Sequence, residues 1–299
     1  MRVAAAVDIG GTRTKIGIVG EDGHITERAT ITTPRAGDPL PLVEAITATL
    51  RPMLDALAAS GAEPLGIGIS VAGFLDRDRS AMIENPNLQA LCGFALRHVF
   101  EERFAFDCRL EVDSNAAVVA EYRFGSGEGV PRLLGVTVGT GLGGGVIIEG
   151  ALVRHTGQCA GDLGHIILDP KGPPCPCGAH GCMEALVSSA AISRRAGGRA
   201  VRDVINSARA GDPDAVTALA ETGRWLGLGL ASLSPLFAPQ AITVGGGVAA
   251  AGELLLTSAR ESYHQHAAPS QASVRITGSR FHGWEGVVGA ACLFLEPVP

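Results

Sequence analysis

Two glycine-rich turns, one in each half of the chain, restrict its possible folds more than any other feature. The first is Asp8-Ile9-Gly10-Gly11-Thr12-Arg13-Thr14-Lys15, where strand-like residues 3–8 turn into strand-like residues 15–19. The second, Gly139-Thr140-Gly141-Leu142-Gly143-Gly144-Gly145, joins apolar residues 133–138 to 146–148 and holds five glycines in seven positions. A glycine inside a strand costs about 0.5–1 kcal/mol, so a purely structural hairpin would not collect five. Their density implies that something approaches this backbone closely. A third run, Gly245-Gly246-Gly247, follows the apolar residues 241–244.

The segments around these turns alternate between strand and helix periodicity, which describes an α/β protein. Residues 25–31, 65–71 and 109–113 read as strands. Helical spacing runs over residues 38–60 up to Gly61, and over 114–124, where Ser114 and Asn115 provide a cap. Further helices are expected at 186–196, 201–210, 215–236, 253–266 and 284–295. A length of 299 residues suits two domains, and no low-complexity linker divides the chain. The expected division places residues 1–113 and a returning segment 284–299 in a smaller N-terminal α/β lobe. Residues 114–283 form the larger C-terminal lobe.

Composition removes several classes of function. The net charge is -6 and no basic cluster occurs, which argues against a nucleic-acid partner. No apolar run reaches the roughly 18 residues of a membrane span, and the N-terminus lacks the pattern of a signal peptide. Seven cysteines, an odd number with three packed into eight positions, point to thiolate ligands in a reducing cytoplasm rather than to disulfides. Cys92, Cys108, Cys159 and Cys292 lie among apolar neighbours and read as small buried hydrophobes.

Those three clustered thiols are Cys175, Cys177 and Cys182, ten residues beyond Gly161-Asp162-Leu163-Gly164-His165. Three cysteines and one histidine at this spacing suit a tetrahedral zinc ion. His165 and His180 compete as the fourth ligand; the flanking Gly161 and Gly164 suggest a shaped turn that aims His165. Four protein ligands leave no open position, so the metal is structural. Asp162 and Glu184 sit beside the ligands, as the wall of a substrate pocket would require.

The first glycine turn offers successive backbone N–H groups and the Thr12 hydroxyl to phosphate oxygens. Asp8 stands where a hydrated magnesium ion can be held. As an isolated turn it is also compatible with an ordinary hairpin, and residues 245–247 with an ordinary strand-to-helix turn. Asp113 ends a strand with Asn115 two residues on; it can serve as a proton acceptor or as part of a helix cap.

Taken together, these residues resemble the ROK family of sugar kinases, within the actin-like ATPase and hexokinase superfamily. The resemblance covers nearly the whole chain in order. It includes Gly66-Ile-Gly-Ile-Ser-Val-Ala-Gly73, Asn85-Pro-Asn87-Leu88 and Glu111-Val-Asp113-Ser-Asn115 besides the glycine turns and the cysteine cluster. It implies a two-lobed α/β fold of the actin-like ATPase (hexokinase, ribonuclease H-like) type, with nucleotide and sugar in the inter-domain cleft. It further implies ATP, Mg2+ and a structural Zn2+. Asp113 would accept the proton of the sugar's 6-hydroxyl. Asp8, Gly10, Gly11, Thr12, Lys15, Gly139, Thr140, Gly141, Gly245, Gly246 and Gly247 would serve the nucleotide and its magnesium. Gly73, Asn87, Asp113, Asp162, His165 and Glu184 would contact the sugar, and His165, Cys175, Cys177 and Cys182 would bind zinc. The family often dimerises, so a homodimer is implied, in the cytoplasm that the clustered thiols suggest. Family members that repress transcription carry a helix-turn-helix ahead of this body, for which a first strand at Val3 leaves no room.

Three positions depart from the family pattern. Val112 replaces the usual Asn before the catalytic Asp, Asp162 replaces Glu, and Ala72 replaces Pro after the valine of the sugar wall. A buried sugar hydroxyl facing Val112 would lose about 1–3 kcal/mol of hydrogen bonding. The expected substrate is therefore a hexose or a modified hexose. An amino sugar such as kanosamine would place its positive charge toward Asp113, Asp162 and Glu184.

Overall fold

The computed structural model describes residues 2–34, 37–85, 88–154 and 162–295; the expected sugar contact Asn87, Gly161 and Cys159 lie outside the described residues. The chain opens with β1 (Val3–Ile9), β2 (Arg13–Gly20), β3 (Ile25–Thr32) and α1 (Leu40–Ala59). It continues through β4 (Ile67–Val71), β5 (Phe74–Leu75), β6 (Met82–Glu84), α2 (Leu96–Phe104), β7 (Cys108–Val112) and α3 (Asp113–Phe124). Next come β8 (Arg132–Val138), β9 (Leu142–Ile148), β10 (Ala151–Leu152), α4 (Met183–Val187), α5 (Ser189–Arg195) and α6 (Val201–Arg209). Finally there are α7 (Pro213–Phe237), β11 (Ala241–Gly245), α8 (Glu253–His266), β12 (Arg275–Gly278) and α9 (Glu285–Leu295).

By contacts the chain divides into Met1–Phe124, Ala151–Ala160 and Trp284–Pro299 as one compact unit, and Gly125–Gly150 with Gly161–Gly283 as the other. Helix α3 thus groups with the first unit, and not with the second as a division at residues 113/114 would have it, because it packs on α9.

In the first unit the sheet order is β3-β2-β1-β4-β7. An antiparallel β1–β2–β3 meander continues into parallel β4 and β7. Alternate residues of β1 serve opposite faces. Ala5, Val7 and Ile9 enter a core with Ile16, Ile46, Leu50, Ile69 and Phe100. Ala4 and Ala6 face α9, packing with Val287, Ala290 and Ala291. This second face is made of small residues, so α9 lies almost on the backbone. A Cβ added at Gly68 of β4 would collide with the Ala290 carbonyl, and one at Gly289 of α9 with the Ala116 carbonyl of α3.

The second unit repeats the plan. Antiparallel β9 pairs with β8, and β11 and β12 follow in parallel. Its core joins Leu134, Val136, Ile242 and Val244 of the sheet to Leu219, Leu226, Leu230, Leu255 and Tyr263 of α7 and α8. Asp212 caps α7 by accepting from the backbone N–H groups of Asp214 and Ala215.

Several local expectations change. The helix expected over 186–196 is split into α4 and α5 by the extended residue Ser188. The break lets the Ser189 N–H donate to the Gly139 carbonyl at 2.8 Å. Strand β9 begins at Leu142, so Gly143, Gly144 and Gly145 pair with Thr137, Val136 and Gly135 inside the sheet instead of forming the turn. Asp113 opens α3 rather than closing β7, its Oδ1 accepting from the Ser114 N–H at 2.7 Å. Helix α2 and strands β5, β6 and β12 arise where no expectation was drawn.

Gly68→Ala is expected to destabilise the protein by about 1–3 kcal/mol, since the new methyl meets backbone that cannot rotate away. Gly37→Ala, where nothing lies within 4 Å, should stay within about 0.5 kcal/mol. Urea unfolding of both variants checks the pair.

Candidate active site

The first unit gathers its carboxylates at the ends of its parallel strands. Asp8 of β1 stands in register with Ser70 of β4, whose hydroxyl donates to Asp8 Oδ1 at 2.7 Å. On its other side Lys15, opposite Asp8 across the β1–β2 ladder, holds its ammonium 3.8 Å from Oδ2 and 5.9 Å from the Trp284 ring. Burial raises the Asp8 carboxyl above its ordinary range, against the pull of Lys15 and Ser70, and Glu285 adds to the rise. Burial together with the Asp8 charge lifts the Asp113 carboxyl from 3.8 to about 6.

The turn between β1 and β2 is buttressed from below. Gly10 N–H donates to the Arg13 carbonyl at 3.2 Å, and the Thr33 hydroxyl donates to the Gly10 carbonyl at 2.8 Å. Thr14 meets Thr33 at 2.9 Å beneath it. Gly11 is half-buried and Thr12 exposed, so the upper surface of the turn is accessible. Gly73 has φ of 107° and lies against Asn85, whose amide donates to the Ala72 carbonyl.

A charge cluster around the buried Glu111 adjoins Asp113, and no sequence signal marked its two arginine partners. Glu111, 2% exposed, is two residues before Asp113. Its Oε2 accepts from Arg79 Nη1 at 2.8 Å and Arg154 Nε at 2.9 Å. Its Oε1 accepts from the Val112 N–H at 3.0 Å and from the Asn115 amide at 3.1 Å. Arg79 has a left-handed backbone, φ 50°, in a turn closed by Asp76, which accepts from both Ser80 N–H and Ser80 Oγ at 2.7 Å. The residues concerned are 32 and 43 positions from Glu111 in sequence, so only the fold brings them together.

The second unit holds the cysteine knot. His165, Cys175, Cys177 and Cys182 place their ligand atoms within 4.8 Å of one another. A zinc ion bound at about 2.3 Å by sulfur and about 2.0–2.1 Å by nitrogen sets tetrahedral edges of about 3.8 Å between sulfurs and about 3.6 Å between sulfur and nitrogen. Cys177 Sγ and Cys182 Sγ are 3.6 Å apart, and Cys175 Sγ is 3.5 Å from His165 Nδ1. The donor set therefore fits zinc. His180 stands outside it, with Nδ1 3.2 Å from the Gly172 carbonyl. Asp162 Oδ2 lies 3.4 Å from the far His165 nitrogen, Nε2, where a carboxylate orients a ligating imidazole. Burial raises the Asp162 carboxyl, with His165 opposing and Glu184 reinforcing.

Glu184, in the first turn of α4, accepts from the Leu142 N–H at 2.9 Å. The glycine turn before Leu142 is closed by a Gly139 N–H to Gly141 carbonyl bond of 2.9 Å. A Cβ added at Gly139 would meet nothing within 4 Å and Thr140 is exposed, leaving that edge accessible. Other glycines of the run serve the protein's own packing: a Cβ at Gly144 would strike Leu163, beside His165. Gly246, with φ of 84°, lies against the Val138 backbone, so the turn at Gly245, Gly246 and Gly247 adjoins the Gly139 turn. Both turns sit at the carboxyl ends of neighbouring parallel strands, β8 and β11, where ligands of α/β sheets bind.

This repeated meander with paired glycine turns defines an α/β protein of the actin-like ATPase class. The ROK family profile matches residues 4–296. A glucokinase of Streptomyces coelicolor is 34% identical, covering 100% of this chain and 99% of its own length. An N-acetylmannosamine kinase of Escherichia coli is 33% identical over 96% of this chain and 97% of its own. The crystal structure of a ROK family glucokinase from Streptomyces griseus, in complex with glucose and AMPPNP, has a TM-score of 0.85 and 34% identity, covering 98% of this chain and 99% of that one. The chain belongs to the ROK family.

Because the folded state raises the Asp113 carboxyl from 3.8 to about 6, its ionised form opposes folding. The associated stability is complete below about pH 4 and is lost as pH rises through about 6. Asp113→Asn is therefore expected to be more stable than the native chain by up to about 2–3 kcal/mol at pH 7.5, with little difference at pH 4. Denaturant midpoints at the two pH values check this.

Proposed function

We propose that this protein is an ATP-dependent sugar kinase that phosphorylates the 6-hydroxyl of a hexose, with Asp113 as general base. The observation that carries the reading is the Asp113 carboxyl itself. Held at about 6, it is ionised at neutral pH yet basic enough to take a proton in the transition state. The sugar oxygen attacks the γ-phosphorus, its proton passes to Asp113, and the bond to the β-phosphate oxygen breaks to release ADP. The sequence similarity to glucokinases and N-acetylmannosamine kinases supports the same chemistry.

In this reading Asp8 would hold magnesium, with Ser70 and Lys15 fixing the carboxylate, and the bound ion would neutralise charge on the phosphates. Gly10, Gly11, Thr12 and Lys15, and likewise Gly139, Thr140 and Gly141, serve the phosphates, while Gly245, Gly246 and Gly247 serve the nucleoside. Gly73, Asn87, Asp162, His165 and Glu184 recognise the sugar. His165, Cys175, Cys177 and Cys182 would hold a structural zinc, which would support Asp162 and Glu184 beside it. Among the described residues no helix is long and apolar enough to cross a membrane. The clustered cysteines support a cytoplasmic location, and the family resemblance supports a homodimer.

Val112 supports a second reading within the same chemistry. An apolar side chain beside the base cannot hydrogen-bond a hydroxyl, which favours a modified or amino hexose over glucose. A non-catalytic sugar sensor is disfavoured, because the base and both glycine turns are retained.

Coupled ADP release with glucose, N-acetylmannosamine, N-acetylglucosamine, fructose and kanosamine tests these readings. Turnover is expected with at least one sugar, and a large kcat/KM preference for glucose would eliminate the amino-sugar reading. Asp113→Asn should lower kcat by about 10²–10⁴. The native kcat/KM should fall on the acid side with a midpoint near 6, since protonation disables the base. Unchanged turnover in Asp113→Asn would remove it from the mechanism. Elemental analysis is expected to find about one zinc per chain, and a chelator should lower the thermal midpoint as the metal leaves.

A further inference from the structure

We infer that Glu184 is a positioning residue for the nucleotide: it sets the shape of the Gly139 turn, besides any contact it makes with sugar. The inference rests on the kinase reading, in which that turn receives the ATP phosphates. Three observations within the second unit converge on it. Glu184 Oε2 accepts from the Leu142 N–H at 2.9 Å, tying the first residue of β9 to the first turn of α4. Gly141 lies so close that a Cβ there would come within 2.7 Å of the same oxygen. The other carboxylate oxygen, Oε1, lies 3.9 Å from Cys175 Sγ, so one side chain spans the cysteine knot and the glycine turn.

The consequence is geometric. In the turn, the Gly139 N–H is taken by the Gly141 carbonyl, and the Gly139 carbonyl is taken by the Ser189 N–H, at 2.9 and 2.8 Å. With Leu142 N–H held by Glu184 as well, the backbone on both sides of Thr140 is anchored to α4 and α5. A turn pinned at these points presents its remaining surface to a polyphosphate in one conformation, so less ordering accompanies nucleotide binding. A side chain at Gly141 would crowd the same carboxylate oxygen and push it from Leu142.

Calorimetric titration of the magnesium complex of AMPPNP, with no sugar present, tests the assignment. Glu184→Ala is expected to weaken binding by about tenfold, the scale of one hydrogen bond to a charged acceptor. Glu184→Gln retains an acceptor oxygen at the same reach and should bind within about threefold of the native protein. Glu184→Asp keeps the charge but falls one methylene short of Leu142, and should resemble the alanine variant. Amide hydrogen exchange over residues 138–145 should accelerate in the alanine and aspartate variants and stay near native in the glutamine variant. Native AMPPNP affinity and native exchange in Glu184→Ala would overturn the inference and leave Glu184 a sugar contact alone. A native-like Asp variant with a weakened Gln variant would also overturn it, assigning the effect to charge. Failure of the native protein itself to bind AMPPNP would instead bring down the kinase reading, and the inference with it.

Discussion

The first unit depends on how closely its last helix can approach its sheet. Helix α9 lies against β1, β4 and α3 across a layer of Ala4, Ala6, Gly68 and Gly289, where one added methyl would meet a carbonyl. Packing at this range leaves no slack, because protein interiors are filled to crystal-like density and adjust little. The ends of β1, β4 and β7 are thereby fixed relative to one another, and with them Asp8, Ser70 and the start of α3. The carboxylate geometry is thus a product of backbone contact more than of the acidic residues themselves.

Two carboxylates close in sequence show opposite electrostatic outcomes. Glu111 is fully enclosed but meets two guanidiniums, a backbone N–H and a side-chain amide, so every oxygen is satisfied. Truncating Glu111 would leave two part-exposed guanidiniums, a backbone N–H and the Asn115 amide without this acceptor. Asp113 accepts from the Ser114 N–H, but it is buried and faces the negative charge of Asp8, so its ionised form is disfavoured. The well-satisfied group holds Asn115 and Val112 in place; the poorly satisfied one retains reactivity. That division matches the trade between stability and activity seen when a site keeps an uncompensated charge.

Much of this arrangement was legible in the sequence because it is local. Glycine turns, helical spacing and the Cys-x-Cys spacing of the knot are all short-range patterns, and they pointed to both sheets and to the four side chains that cluster at the knot, His165 among them and His180 not. The remainder depended on distant partners. Arg79 and Arg154 acquire meaning only when β6, β7 and β10 are placed, and neither lies in a recognisable motif. Glycine density was read as room for a ligand, yet Gly144 makes room for Leu163 and Gly141 for Glu184; sequence cannot tell an internal neighbour from a bound one. Ser188 ends α4 because the Ser189 amide is claimed by Gly139, a tertiary bond that overrides continuous helical periodicity. Strand β12, four residues long, offers too few positions for a period to register.

The discontinuity of the first unit bears on how the chain is made. Residues 1–124 leave the ribosome early, but the face of their sheet formed by Ala4 and Ala6 stays uncovered until residues 285–295 have been synthesised. The second unit, whose strands and helices all lie between, can collapse before that point. Vectorial synthesis therefore favours completion of the middle of the polypeptide ahead of its beginning, and leaves an apolar nascent surface for chaperones to guard in the interval.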